Sequence, residues 1–380
     1  MKRFVLLLVA LGTWFTLFIA NAFADTVFLK APPKFEGMYL LQTLLIVVSS
    51  CLFVIAVGKP EPKNKVGVIQ PSQSSSWLKW GVFTWSVEES VKRDRFSIPV
   101  KELILWQVLI VSLAFVSVFL YNPKIFNALA LEDNPIELLS ALMWLIACAF
   151  FLLISVKLRS TRRRNRLFYI ATALMFALIL FLLGMEEISW FQRSLAIDTP
   201  EAFQGNLQNE MNLHNFATSY VEVCYYFSSF AWLVVIPFIK HIISNILPIG
   251  KRTALFFVPS QFMIFAGAIS VAYNYYMWNQ ITTQIAFFVT LFTLIYTIIY
   301  SRSNRNKILL VSTVAVYVFT QGVFLLYGSS LVRTWDVTEY KEFLIPLSFV
   351  IYSLEILSKA NKLKRSQAKE HHNSAQPMEF

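Results

Sequence analysis

Long apolar stretches separated by short polar runs dominate the chain, and their lengths set the first expectations. Phe4–Ala20, Gly37–Val57, Leu103–Tyr121, Ile136–Val156 and Leu167–Met185 approach the ~20 residues that carry a helix across a bilayer. Tyr220–Ile239, Leu255–Tyr275, Thr282–Tyr300, Ile308–Tyr327 and Phe343–Leu357 continue the series. Backbone amides in hydrocarbon must be paired within their own segment, so each stretch is expected to be helical. The ten-residue alternation of an outer-membrane barrel is missing. The pattern therefore predicts an all-α polytopic membrane bundle, with about ten transmembrane helices, or about nine if the first is a cleaved signal peptide. Both readings fit residues 1–24, because "MKR" precedes the apolar run and Ala22-Phe23-Ala24 forms an A-x-A site ahead of Asp25. Residues 25–360 then form a single membrane domain, and residues 361–380 a disordered basic tail. Pro237, Pro259 and Pro346 fall inside spans, where membrane helices tolerate them. No internal repeat is visible, which disfavours inverted-repeat transporters.

Composition agrees with the pattern. Hydrophobic residues make up 57% of the chain and charged residues only 14%, too few for a soluble domain of 380 residues. A net charge of +11 would suggest nucleic acid in a soluble protein. Here the basic residues cluster between apolar runs, which is how a membrane protein is oriented, and nucleic acid is not an expected partner. Lys157–Arg166, Lys240–Arg252, Ser301–Lys307, the loop 58–99 and the C-terminal tail should face the cytoplasm. Within loop 58–99, Trp77, Trp80 and Trp85 suggest an interfacial anchor. Cys51, Cys148 and Cys224 lie in apolar runs without paired spacing and read as small buried hydrophobes.

That orientation gathers the unexplained polar chemistry on the outer face. "EDNPIE" (Glu132–Glu137) enters a span there, "EEISWFQR" (Glu186–Arg193) leaves one, and "NEMNLHNF" (Asn209–Phe216) lies in the following polar loop, 186–219. Asp133 or Asn134 suits the N-cap of a helix opened by Pro135, with Glu137 in its first turn. Glu186 and Glu187 end a helix, where the dipole disfavours negative charge. If the helix continues, Glu186, Trp190 and Arg193 share a stripe; if it breaks at Gly184, both acids reach the headgroups. Glu210 and His214 stand four apart, on one face if that segment is helical. The plain alternatives are an acid pair satisfied by Arg193 and water, and a capped turn around His214.

As chemistry, Glu186 or Glu187 would act as general base with His214 as acid. Glu132, Asp133, Glu137 and Glu210 are the acids that would hold a divalent cation, the one cofactor the sequence suggests. Gln192, Arg193, Asn212, Asn215 and Arg333 are candidate substrate-binding groups. The last outer loop, with Arg333, Asp336, Glu339, Lys341 and Glu342, reads as solvated surface. "EEISWFQR" departs from the EExxxR signature of CAAX-type intramembrane proteases, because position 191 is Phe and the arginine comes two residues late.

The three blocks resemble the signature of a little-characterised group of multi-pass bacterial membrane proteins: E-D-x-x-x-E, then E-E-I-S-W-x-Q-R, then N-x-H-N. The likeness spans Glu132–Asn215, and members carry Gly where this chain has Phe191. It implies that the blocks belong together and implies no activity. The functional expectation is an outer-face enzyme, a transferase or hydrolase, acting on a lipid or lipid-linked substrate, with membrane lipids as partners. The alternatives are a proton- or cation-coupled transporter and a membrane scaffold.

Overall fold

The computed structural model describes residues 2–24, 26–28, 30–58, 97–159, 165–206, 208–246, 249–301 and 304–374. Asp25, Trp77, Trp80, Trp85 and most of the expected loop 58–99 lie outside the described residues. The described chain is helical throughout: α1 (Lys2–Phe23), α2 (Gly37–Val57), α3 (Ser97–Tyr121), α4 (Pro123–Leu129), α5 (Pro135–Arg159) and α6 (Arg166–Glu187) come first. They are followed by α7 (Thr218–Phe230), α8 (Ile236–Ile246), α9 (Phe262–Val271), α10 (Ile281–Tyr300), α11 (Asn304–Tyr327) and α12 (Asp336–Ser374). Nine helical segments among the described residues are long and apolar enough to cross a membrane, with α7 and α8 counted as one. The expected polytopic helical bundle is therefore what the chain forms.

Contacts between distant residues sort the helix ends into two groups. Arg3 at the start of α1 donates to the Gly58 carbonyl after α2. Asn165 meets Thr253, and Lys157 meets Asn361, at this same basic end. At the other end Lys34 pairs with Asn279, and Asn127 with Asp336. The core is aromatic-rich: α5 packs between α6 and α12, with Trp144, Phe151 and Tyr352 fully buried.

Four expectations change. The stretch Leu255–Tyr275 is not a span-length helix. It is a 3-10 segment, Ile249–Phe256, an irregular turn at Pro259 and then α9, whose ten residues are all buried. It still passes through the bundle, since Ser260 bonds Glu355 at the basic end and Asn274 bonds Lys341 near the other. Irregular backbone at membrane depth is tolerable where protein surrounds it. α12 starts at Asp336, seven residues before the expected Phe343, so Asp336 and Lys341 are buried rather than solvated. α12 also runs on to Ser374, through residues 361–374 of the expected tail, because that segment lacks Gly and Pro and is rich in good helix formers. Finally, Cys224 is exposed on the outward face of α7 beside Tyr220 and Phe227; all three cysteines are free.

Between α7 and α8 the chain makes a π-helical turn, Ala231–Val235. Pro237 has no N–H for the Leu233 carbonyl, and a widened turn is one way to accommodate that loss.

Candidate functional site

The three sequence blocks meet at the bundle end away from the basic loops, and Arg193 is where they join. α6 stops at Glu187, and Ser189, Trp190 and Phe191 follow in left-handed backbone, with φ of 46°, 55° and 61°. Left-handed backbone costs a non-glycine residue roughly 1–2 kcal/mol. Phe191 is one of these positions. The reversal swings Arg193 back under the loop. Its Nη1 lies 2.9 Å from Glu132 and 3.0 Å from Glu210, its Nη2 2.6 Å from Glu137, and its Nε 3.2 Å from Asp133.

Four carboxylates thus surround one guanidinium. Partial burial opposes its charge, but Glu137, Glu210, Asp133 and Glu132 outweigh that cost and hold its pKa above the usual guanidinium value. The side chains of Glu137 and Glu210 are only 15% and 11% exposed, whereas those of Glu132 and Asp133 are 52% and 56% exposed, so the first two pairs carry most of the energy. Pro135 opens α5, and Glu137 accepts the backbone N–H of Asp133 in its first turn. Gln208 donates to Glu132 at 2.7 Å, and Ser189 to Glu210 at 2.5 Å.

This arrangement corrects the metal expectation. Glu132, Asp133, Glu137 and Glu210 do come together, but around Arg193. Among the described residues no group of three or more His, Cys, Asp or Glu side chains is placed to hold a metal ion. The residues expected to bind substrate have partners within the protein. Gln192 is buried, accepting from Met211 N and donating to Thr199. Asn212 donates to the Glu186 carbonyl, and Asn215 to Gln208. Arg333 holds Asp336 at 2.7 Å and the Ala130 carbonyl at 2.9 Å, tying the start of α12 to the segment before Glu132. These residues brace the loop.

Glu186 and Glu187 point to different places, as neighbours about 100° apart on a helix must. Glu186 turns into the loop, where its carboxylate accepts Trp190 Nε1 at 2.9 Å, Leu213 N at 2.7 Å and His214 N at 3.3 Å. His214 Nδ1 lies 3.7 Å from the same carboxylate. Glu210 and His214 do not share a helical face, because only His214–Phe216 makes a helical turn there. The Asn206 side chain bonds the backbone of Gln208, Glu210 and Asn212 instead, the local competition that keeps asparagine-rich segments out of helices. His214 has left Glu210 for Glu186.

Glu187 turns inward beside Ser140 and feels the charges of Glu339 and Glu342 on α12. Tyr226 donates to Glu342, and Tyr276 to Glu222 at 3.1 Å. Burial first, then the charge of Glu222, pushes the Tyr276 phenol above its usual pKa, so it remains a donor. Lys30 pairs with Glu222 at 2.7 Å. The buried Lys341 donates to Asn274 and stands 4.5 Å from the Tyr226 ring. Beside it is a cavity of about 30 Å³, room for roughly two waters, lined in part by Tyr226, Phe227, Asn274, Thr282 and Lys341. His214 is near enough to Glu342 to feel its charge, so the surface pair and this inner cluster adjoin.

Sequence reasoning missed the inner cluster. Two signals were available: "DVTE" (Asp336–Glu339) is a D-x-x-E helix start, and Glu222 and Tyr226 stand four apart on one face of α7. Comparison with protein-family models, curated proteins and solved structures finds no match to this chain. The site's own chemistry therefore has to carry any functional reading.

Proposed function

We propose that the chain is an integral membrane enzyme, a transferase or hydrolase, working at the extracytoplasmic face of a bacterial inner membrane on a lipid or lipid-linked substrate. The observation that carries this reading is the pairing of Glu186 with His214. Three N–H donors fix the carboxylate, and the imidazole beside it remains 35% exposed at the bundle end. A carboxylate at 3.7 Å favours a proton on Nδ1, so Nε2, which the Asn212 side-chain amide approaches at 3.5 Å, is the nitrogen that would exchange protons with substrate. Arg193 and its four acids hold the loop that carries the pair. The basic segments at the opposite end favour a cytoplasmic location for that end and for the C-terminus.

The test is Glu186→Gln and His214→Ala, with membrane lipids and lipid-linked surface glycans compared by mass spectrometry. General acid-base roles predict losses of roughly 100-fold or more in the affected product. Wild-type profiles in both variants at normal expression would sink the proposal.

A second reading, proton- or cation-coupled transport, rests on the half-buried acids Glu187, Glu339 and Glu342 and on the buried Lys341 next to Glu342, since ionisable residues at membrane depth are commonly functional. Glu187→Gln separates the two. On the enzyme reading it leaves the lipid profile less affected than His214→Ala does; on the transport reading it abolishes ion-driven uptake into vesicles while His214→Ala spares it.

A further inference from the structure

The end of the bundle remote from Arg193 carries the opposite charge imbalance. Lys101 on α3, Lys240 on α8 and Lys359 on α12 gather around Glu355, and Lys362 on α12 stands close to Lys101. Lys157 on α5 adds a fifth ammonium nearby, donating to Asn361 at 2.7 Å. Among the described residues, Glu102, next to Lys101, is the other carboxylate in this neighbourhood, so five described lysines face two described acids.

Glu355 is already committed. It accepts Lys359 Nζ at 2.6 Å, Ser260 Oγ at 2.6 Å and Ser260 N at 3.0 Å. Lys240 and Lys359 share one acceptor, the Val258 carbonyl, at 3.3 and 3.1 Å. Their ammonium groups are therefore no more than about 6 Å apart, a separation at which like charges repel appreciably. Lys101 continues the inward face of α3 through Leu105 and Val108, and its ammonium stands 5.7 Å from the Phe262 ring. The lysines thus cluster around Glu355 at the bundle end. On the outer flank of α3, Leu103 and Trp106 are exposed apolar surface.

We propose that the lysine cluster contributed by α3, α8 and α12 binds the phosphate of an anionic membrane lipid, with Lys101 and Lys240 as its principal ligands. A phosphate would relieve the ammonium repulsion, and basic pockets between membrane helices are suited to such headgroups. Leu103 and Trp106 supply the surface for the glycerol region and the acyl chains, which a free phosphate would not need. The site is independent of the Glu186–His214 reading.

The experiment is native mass spectrometry of the full-length protein in detergent with phosphatidylglycerol or phosphatidylcholine added, and with inorganic phosphate as competitor. Phosphatidylglycerol adducts should exceed phosphatidylcholine adducts at least tenfold. Lys101→Gln and Lys240→Gln should each cut that preference fivefold or more, while Lys34→Gln at the other end leaves it unchanged. Lys101 is exposed, so its variant should fold and decides the matter if the Lys240 variant does not. Equal retention of the two lipids, or an unchanged preference in Lys101→Gln, overturns the proposal. Full displacement by millimolar inorganic phosphate also overturns it, in favour of a soluble phosphate ligand.

Discussion

At the scale of single residues, Arg193 concentrates more of the design than any other position. Its guanidinium meets acids from the α4–α5 connection, from α5 and from the long loop, separated by as many as 61 residues in sequence. Removing it would leave Glu137 and Glu210 facing each other while largely buried, and stranding such charges typically costs 3–5 kcal/mol. Part of the array is solvated, so Arg193→Gln should cost roughly 2–4 kcal/mol, read as a lowered thermal midpoint in detergent. Adding Glu137→Gln should restore part of the loss, since one stranded charge is then gone. A double variant no more stable than the single one would show that Arg193 acts through packing and not through its charge.

At the scale of elements, α9 shows how close packing substitutes for length. Its ten residues would span only about 15 Å as a helix, so irregular backbone on either side completes the passage. Gly267 lets α9 lie against the π-helical turn: a Cβ there would stand 2.6 Å from Leu233 Cβ, which cannot swing away. Gly267→Ala should therefore cost about 1–3 kcal/mol. Leu233→Ala should offset part of that, giving a non-additive cycle in thermal unfolding; strict additivity would mean that the two residues do not meet. Elements like α10, set by abrupt steps in hydropathy, were legible to within a residue: Thr282–Tyr300 expected, Ile281–Tyr300 observed. Leu255–Tyr275 was not, because hydropathy counts apolar side chains and is blind to whether the backbone is wrapped in protein or in lipid. The start of α12 was hidden for the converse reason. Its polar residues read as surface, yet their partners are other buried polar groups on α7 and beyond α9. Topology correctly brought the three blocks to one end of the bundle. The partner of each side chain was not legible, since Arg193 with Glu132 and His214 with Glu186 depend on a left-handed turn that no local pattern announces.

At the scale of the molecule, the short helix α9 decides which side the last third of the chain occupies. The nine span-length segments alone would make an odd number of crossings and place the two termini on opposite sides. Counting α9 as a tenth crossing returns them to the same side. The contacts agree: Asn279 after α9 meets Lys34, and Tyr296 on α10 meets Gly58. Only with α9 crossing do Asp336 and Arg333 reach Asn127 and Ala130, and Lys341 reach Asn274. A cysteine placed at Gln204 and one at Lys364, each in a cysteine-free background, should thus be labelled by an impermeant maleimide from opposite sides of oriented vesicles. A tag ahead of Lys2 should share the side of Lys364. Labelling of Gln204 and Lys364 from one side would mean that α9 turns back within the bundle. The inner cluster of Glu222, Glu339, Lys341 and Glu342 could not then assemble beneath His214, and the transport reading would lose the geometry it rests on.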